Sequence, residues 1–219
     1  GSSIAREADK TLYIKAGPEI AVATTKAFVA QYILLTLIAL KMSNNEKYLN
    51  SYGSLEKSLE KIYKFDYIKY ANKIYKSNNA FFIGRQIDYG LCEEGSLKLK
   101  EISYINSSAF ASGELKHGTI SLIENKTPVI SIITDEDISL KTISNIKEVH
   151  TRGAYNLFIT PLEIDGDFYD DKIKVDNINF ILNPILVVAV LQLLAYNVAK
   201  LKGEDIDKPR NLAKSVTVE

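Results

Sequence analysis

The stretch Ala80-Phe-Phe-Ile-Gly-Arg85 decides the fold of this chain, because it opens a regular alternation of apolar and amphipathic segments. A short apolar run that ends at a glycine is typical of a buried strand closing in a tight turn. The segment after it, 89–105, carries apolar residues at helical spacing. We therefore predict a strand followed by a helix in this part of the chain.

The alternation continues toward the C-terminus. Further strands are predicted at 128–133, at 156–159 and within 173–182, and helices at 136–151 and 184–202, the last opened by Pro184. Short apolar strands separated by amphipathic helices predict a parallel sheet covered on both faces, which is a three-layer α-β-α fold. Ligands of such α/β proteins bind at the carboxyl ends of the strands.

The first part of the chain follows another pattern. A strand is predicted at about 11–16, a helix from about Ala23 to Met42, and helical spacing runs from Tyr48 to Ser77. A strand so early has nothing before it to pair with, and the chain begins at Gly1 without Met. We therefore expect a fragment of a longer protein.

Composition excludes several classes of protein. The 27 basic and 27 acidic residues balance, so no net field attracts nucleic acid. With one cysteine and two histidines we expect no disulfide and no zinc site, and a cytoplasmic location fits. The apolar run 180–199 is long enough for a membrane span, but polar residues and Pro184 interrupt it. We predict a short strand, a break and a buried helix there, and no membrane partner.

A row of charged residues lies on the first predicted helix of the alternating region. Glu94, Lys98 and Glu101 are spaced i, i+4 and i+7, so they share one helix face, while Leu91 and Leu99 belong to an apolar row that faces the sheet. The charged row is either a solvated face with ordinary ion pairs or a carboxylate base held by a neighbouring lysine.

Two further segments carry candidate chemistry. His117 lies in Gly113-Glu-Leu-Lys-His-Gly118, and a histidine in a glycine-bracketed loop suits proton transfer, although it is equally compatible with a surface loop. His150 and Cys92 have no supporting neighbours, and we interpret both as structural.

The last residues, 204–219, form a mixed tail in which Leu212, Ala213, Val216 and Val218 could dock, and Lys214 is flanked by small residues. Such a tail either packs on a neighbour or delivers one amine to a pocket, which suggests carbonyl or phosphate chemistry. For attack on a carbonyl, partial burial would favour the neutral amine that is required.

Four segments together resemble the glucosamine-6-phosphate synthase family, the isomerising glutamine–fructose-6-phosphate aminotransferases. They are Glu19-Ile-Ala-Val-Ala-Thr-Thr-Lys-Ala-Phe28, Glu94-Gly-Ser-Leu-Lys-Leu-Lys-Glu-Ile-Ser-Tyr-Ile105, Ala111-Ser-Gly-Glu-Leu-Lys-His-Gly118 and Lys208-Pro-Arg-Asn-Leu-Ala-Lys-Ser-Val-Thr-Val-Glu219. The chain departs from the family pattern at Thr24, where serine is usual, and at Thr119, where proline is usual.

The resemblance implies a domain organisation. Residues 1–70 would be the end of a first sugar-isomerase domain, 71–203 a second complete one, and 204–219 an active-site tail. The family's N-terminal glutaminase and its Ser-x-Ser-Gly-x-Thr phosphate loop are not found in this sequence. The resemblance also implies a homodimer, a partnership with the glutaminase domain of the same full-length chain, and no cofactor.

The resemblance further implies roles in converting fructose 6-phosphate and ammonia to glucosamine 6-phosphate. Lys214 would form a Schiff base with the sugar carbonyl, Glu101 would move a proton between C1 and C2, and His117, from the partner subunit, would assist ring opening. The substrate-binding residues would be the backbone of Val22 and Ala213, the Thr24 hydroxyl, and Lys98. Two alternatives stay open: a non-catalytic sugar-phosphate-binding module and a fructosamine-phosphate deglycase.

Overall fold

A computed structural model describes residues 2–214 of the chain. Its centre is a sheet of five strands in the order β2-β1-β3-β4-β5, and every neighbouring pair is parallel. The strands are β1 (Asn79–Gly84), β2 (Asn106–Ala111), β3 (Pro128–Ile132), β4 (Tyr155–Thr160) and β5 (Asp171–Lys174). The predicted parallel sheet is confirmed, and it contains the three strands predicted from the apolar runs.

Helices cover both faces of the sheet. They are α1 (Ser3–Glu7), α2 (Lys26–Met42), α3 (Tyr52–Lys64), α4 (Ile68–Ile74), α5 (Ile87–Ser103), α6 (Ser139–His150) and α7 (Asn183–Lys202). Successive side chains of a strand point to opposite faces, so Phe82 packs with α5 and α7 whereas Phe81 packs in the layer that holds α6. The three-layer α-β-α fold is therefore confirmed.

The sequence pattern missed strand β2. Its residues, Asn106-Ser-Ser-Ala-Phe-Ala111, are mostly small or polar and form no apolar run. β2 lies at the edge of the sheet and, among the described strands, pairs only with β1, so it needs less apolar surface than a central strand. An edge strand of this composition carries almost no periodic signal.

The N-terminal predictions need correction. The predicted strand at 11–16 is absent, and within it Leu12 and Tyr13 are exposed, because no strand among residues 2–214 lies beside this segment to pair with it. Helix α2 begins at Lys26 rather than at Ala23. The helical pattern of 48–77 is broken at Phe65-Asp66-Tyr67, which separates α3 from α4.

Helix α7 is the core helix of the fold. Its length and composition would allow it to cross a membrane, but about two thirds of its most apolar part is buried within the protein, where it packs against α3, α4 and α5. No strand precedes it at 180–182, where the chain forms a turn instead. Pro184 occupies the first turn of the helix, as predicted.

Gly95 allows α5 and α7 to approach closely. A β-carbon at this buried position would lie 3.0 Å from side-chain atoms of Leu191 and of Phe82. We expect Gly95→Val to lower the free energy of unfolding by about 1–3 kcal/mol, because the core has no room for the added atoms. Gly90→Val on the same helix is the matched control, since no atom of the described residues lies within 4 Å of its β-carbon position. Urea unfolding of the two variants tests this, and equal stability would contradict it.

Candidate active site

The charged row on α5 forms a compact cluster. The Lys98 ammonium donates to Glu101 Oε2 at 2.7 Å and lies 4.0 Å from Glu94 Oε1. The amide of Gln192, on α7, donates to Glu94 Oε1 at 3.3 Å. One lysine therefore stands between two carboxylates, and a second helix holds the cluster in place.

This cluster is withdrawn from solvent. The side chains of Lys98, Glu94 and Glu101 are 4%, 7% and 21% exposed, so the alternative of a solvated face does not hold. Burial raises the pKa of Glu94, and the nearby carboxylates of Glu101 and Glu19 add to the rise, while Lys98 and the Gln192 hydrogen bond oppose it. A buried carboxylate–lysine–carboxylate arrangement is a setting in which a carboxyl group can exchange protons with a ligand.

A cavity of about 210 Å³ opens beside the cluster. Lys98 and Ile102 of α5 form one wall, and Gln192 and Tyr196 of α7 form another. The loop before α2 and the chain after α7 complete it with Ala21, Ala23, Thr25, Ile206 and Asp207. The cavity therefore joins segments that are far apart in sequence, and among the predicted site residues it includes Lys98.

The loop before α2 is held by Glu19. Its carboxylate accepts from the Thr25 backbone N–H at 2.5 Å and from the Thr25 hydroxyl at 3.2 Å. The Val22 N–H donates to the Asp207 carbonyl at 3.0 Å, which ties this loop to the tail. Thr25 thus faces the cavity, whereas Thr24, the residue suggested by the resemblance, is exposed and does not line it.

The tail reaches the same region. The Lys214 ammonium donates to the Glu19 carbonyl, which places the predicted amine at the loop that borders the cavity. Lys214 and Ala213 are both exposed, and Leu212 is 42% exposed. The burial expected for the Lys214 amine is therefore not found, because the tail lies on the surface at this point. Residues 215–219, with the apolar Val216 and Val218 of the predicted docked tail, lie outside the described part of the chain.

His117 stands apart from these residues. It is exposed in a series of turns after β2, and its backbone N–H donates to the Glu114 carbonyl at 3.1 Å. Within residues 2–214 the structure gives its side chain no contact with Glu101 or Lys214. Lys98 and Glu101 therefore lie in contact, and Lys214 contacts the loop before α2. His117 lies in a different part of this chain.

Sequence reasoning missed Gln192, Tyr196, Thr25 and Glu19. Gln192 and Tyr196 interrupt the apolar run of α7, and this interruption could have identified them as candidate site residues. Thr25 directly precedes α2, and a threonine at a helix start is a recognisable cap position. Among the described residues no cluster of three or more His, Cys, Asp or Glu side chains could hold a metal ion.

Comparison with known proteins gives this geometry its context. The SIS domain family matches residues 1–41 and 73–201, which is more than half of the chain. The chain belongs to the SIS domain family. Over its whole length it is 47% identical to the isomerising glutamine–fructose-6-phosphate aminotransferase of Caldanaerobacter subterraneus subsp. tengcongensis and 46% identical to that of Bacillus subtilis.

A solved structure agrees with this similarity. The C-terminal domain of glucosamine-fructose-6-phosphate aminotransferase from Francisella tularensis matches with a TM-score of 0.86 and 33% identity, covering 95% of this chain and 63% of that one. The resemblance inferred from the four motifs is thus confirmed. The chain spans 38% of the length of the curated relatives it matches.

Proposed function

We propose that this chain is the isomerase part of an isomerising glutamine–fructose-6-phosphate aminotransferase. The observation that carries the proposal is the ion pair between the partly buried Glu101 and the buried Lys98, because Lys98 lines a cavity and the tail brings Lys214 to the loop that borders this cavity. A binding module needs neither a carboxylate base nor an amine beside its ligand. The similarity over the whole chain to aminotransferases of this name supports the same proposal.

The proposed chemistry uses the groups in order. The exposed Lys214 ammonium loses a proton to solvent, the resulting amine attacks the C2 carbonyl of open-chain fructose 6-phosphate, and water leaves to give an imine. Ammonia displaces the lysine, and Glu101 takes a proton from C1 and returns it to C2, which yields glucosamine 6-phosphate. The Lys98 ammonium donates a hydrogen bond to the Glu101 carboxylate at 2.7 Å and balances its negative charge before the sugar binds.

The remaining roles extend this proposal. His117 acts in ring opening from the second subunit of a homodimer, which agrees with its exposure and its distance from the cluster. The Val22 and Ala213 backbones contact the sugar, and Thr24 contacts it from the exposed side of the same loop, outside the cavity lining. Residues 1–70 and 71–203 belong to two sugar-isomerase domains, and 204–219 form the tail. In the complete cytoplasmic protein, a glutaminase domain supplies ammonia.

The function is tested by assaying the complete protein and this chain side by side. With glutamine and fructose 6-phosphate, the complete protein should form glucosamine 6-phosphate, and its failure to do so would overturn the proposal. The isolated 219-residue chain should show almost no synthesis, because it carries no recognisable phosphate loop and the phosphate contacts contribute several kcal/mol to binding. Synthesis by the isolated chain at the rate of the complete protein would contradict this second expectation.

A further inference from the structure

Tyr104 occupies an unusual position at the end of α5. It lies three residues beyond Glu101 and adopts a left-handed backbone conformation, with φ 59° and ψ 19°. Residues other than glycine seldom adopt this conformation. Its backbone N–H still donates to the Lys100 carbonyl at 3.2 Å, so Tyr104 closes the same helix that carries the base.

The Tyr104 side chain makes two different contacts with one tail residue. Its phenol oxygen accepts a hydrogen bond from the Arg210 backbone N–H at 2.8 Å. The Arg210 guanidinium lies over the ring, 4.0 Å from its centre. A backbone hydrogen bond combined with a cation–π contact fixes both the position and the orientation of the chain at Arg210. Pro209, directly before Arg210, is buried and restricts the backbone further.

This contact stands between two other attachments of the tail. Upstream, the Asp207 carbonyl accepts from Val22, and downstream the Lys214 ammonium donates to the Glu19 carbonyl. Both of those attachments join the tail to the loop before α2. Among the described hydrogen bonds of residues 205–214, the bond to Tyr104 alone joins the tail to the helix that carries Glu101.

We propose that Tyr104 is a positioning residue, which fixes the tail on the end of α5 and so sets the Lys214 amine relative to the Glu101 carboxylate. The proposal rests on the proposed function, because it takes Lys214 and Glu101 to act on one sugar. Arg210 lies four residues before Lys214, so greater backbone mobility at Arg210 would also increase the mobility of the Lys214 amine. Loss of the contact should slow the chemical steps more than it weakens sugar binding, since rates depend steeply on the placement of reacting groups.

The first test measures the tail itself. Hydrogen exchange of the backbone amides of 205–214 is compared in the complete protein and its Tyr104→Phe and Tyr104→Leu variants. Tyr104→Phe removes the acceptor of the Arg210 N–H, and exchange of that amide should rise by about fivefold, the equivalent of one ordinary hydrogen bond. Tyr104→Leu also removes the ring and should raise it further. Tyr169→Phe, which removes a hydroxyl bonded to Asp165 on the other face of the sheet, should leave the tail unchanged.

The second test measures the reaction in the same variants. For Tyr104→Leu we expect kcat for glucosamine 6-phosphate formation to fall on the order of tenfold, KM for fructose 6-phosphate to change less than twofold, and glutamine hydrolysis to persist. Borohydride trapping of the sugar on Lys214 should slow in parallel, and Tyr104→Phe should lie between Tyr104→Leu and the parent.

The outcomes separate the two proposals. Unchanged tail exchange in both Tyr104 variants would overturn the anchoring contact, and faster exchange with an unchanged kcat would overturn the positioning role. If the parent protein makes no amino sugar while exchange still rises in the variants, the proposed function fails but the contact between Tyr104 and the tail stands.

Discussion

Replacing Glu101 with glutamine is expected to lower sugar isomerisation by the complete protein by about 100-fold or more. Glutamine preserves the shape of the side chain and its position one turn from Lys98 on α5, but it removes the carboxylate that is proposed to accept a proton from C1. A loss of this size corresponds to roughly 2.7 kcal/mol of transition-state stabilisation. The expected change is in kcat, measured by formation of glucosamine 6-phosphate from fructose 6-phosphate and glutamine.

Two controls make this result specific. Glu93→Gln alters a neighbouring exposed carboxylate on the same helix and should leave the rate within about twofold of the parent, as surface changes usually do. Glutamine hydrolysis should largely survive in Glu101→Gln, because the proposed function assigns it to a separate glutaminase domain of the complete protein. Isomerisation at the parent rate in Glu101→Gln would refute the assignment of the base and would favour a non-catalytic sugar-phosphate-binding module.

Replacing Lys214 with methionine should abolish the covalent intermediate. In the complete parent protein, borohydride with fructose 6-phosphate should reduce an imine and attach the sugar to Lys214, and peptide mass analysis should find the label there. Lys214→Met keeps a long flexible side chain but has no amine, so the label should disappear and synthesis should fall by about 100-fold or more.

Two outcomes would contradict the role proposed for Lys214. A label on Lys98 or Lys100 in the parent protein would move the Schiff base to α5. Intact isomerisation in Lys214→Met, with no label in the parent, would make the tail a structural arm. Lys208→Met provides the matched control, since Lys208 is an exposed lysine of the same tail and its loss should change neither labelling nor rate.

The sequence predicted the fold well where a local pattern carries the information. Buried parallel strands are continuous apolar runs, so 80–85, 128–133 and 156–159 were recognisable without any knowledge of their neighbours. The edge strand β2 was not, because pairing on one side with β1 requires no apolar run. The strand predicted at 11–16 was wrong for a different reason. Its sequence suits a strand, but a strand forms only where a neighbouring strand can pair with it.

The candidate site, like the fold, has one part that the sequence predicts and another that it does not. Helical spacing alone put Glu94, Lys98 and Glu101 on one face of α5, since residues three and four apart in a helix are neighbours. Spacing could not say whether that face meets water or a cavity, because the answer depends on α7, whose Gln192 lies 98 residues after Glu94. Only the tertiary structure showed that Glu94 and Lys98 are buried and that Glu101 is partly buried.

What the sequence determined by itself is the set of helices and strands whose periodicity is local, together with the motifs that resemble the synthase family. Only the tertiary structure decided which distant segments meet. It places Thr25, and not Thr24, in the lining of the cavity. It also brings Lys214 to Glu19 and Arg210 to Tyr104. The physical reason is that periodicity within one element records which side of it is buried. Contacts between loops, in contrast, depend on single hydrogen bonds between residues more than 100 positions apart, which leave no repeating pattern in the sequence.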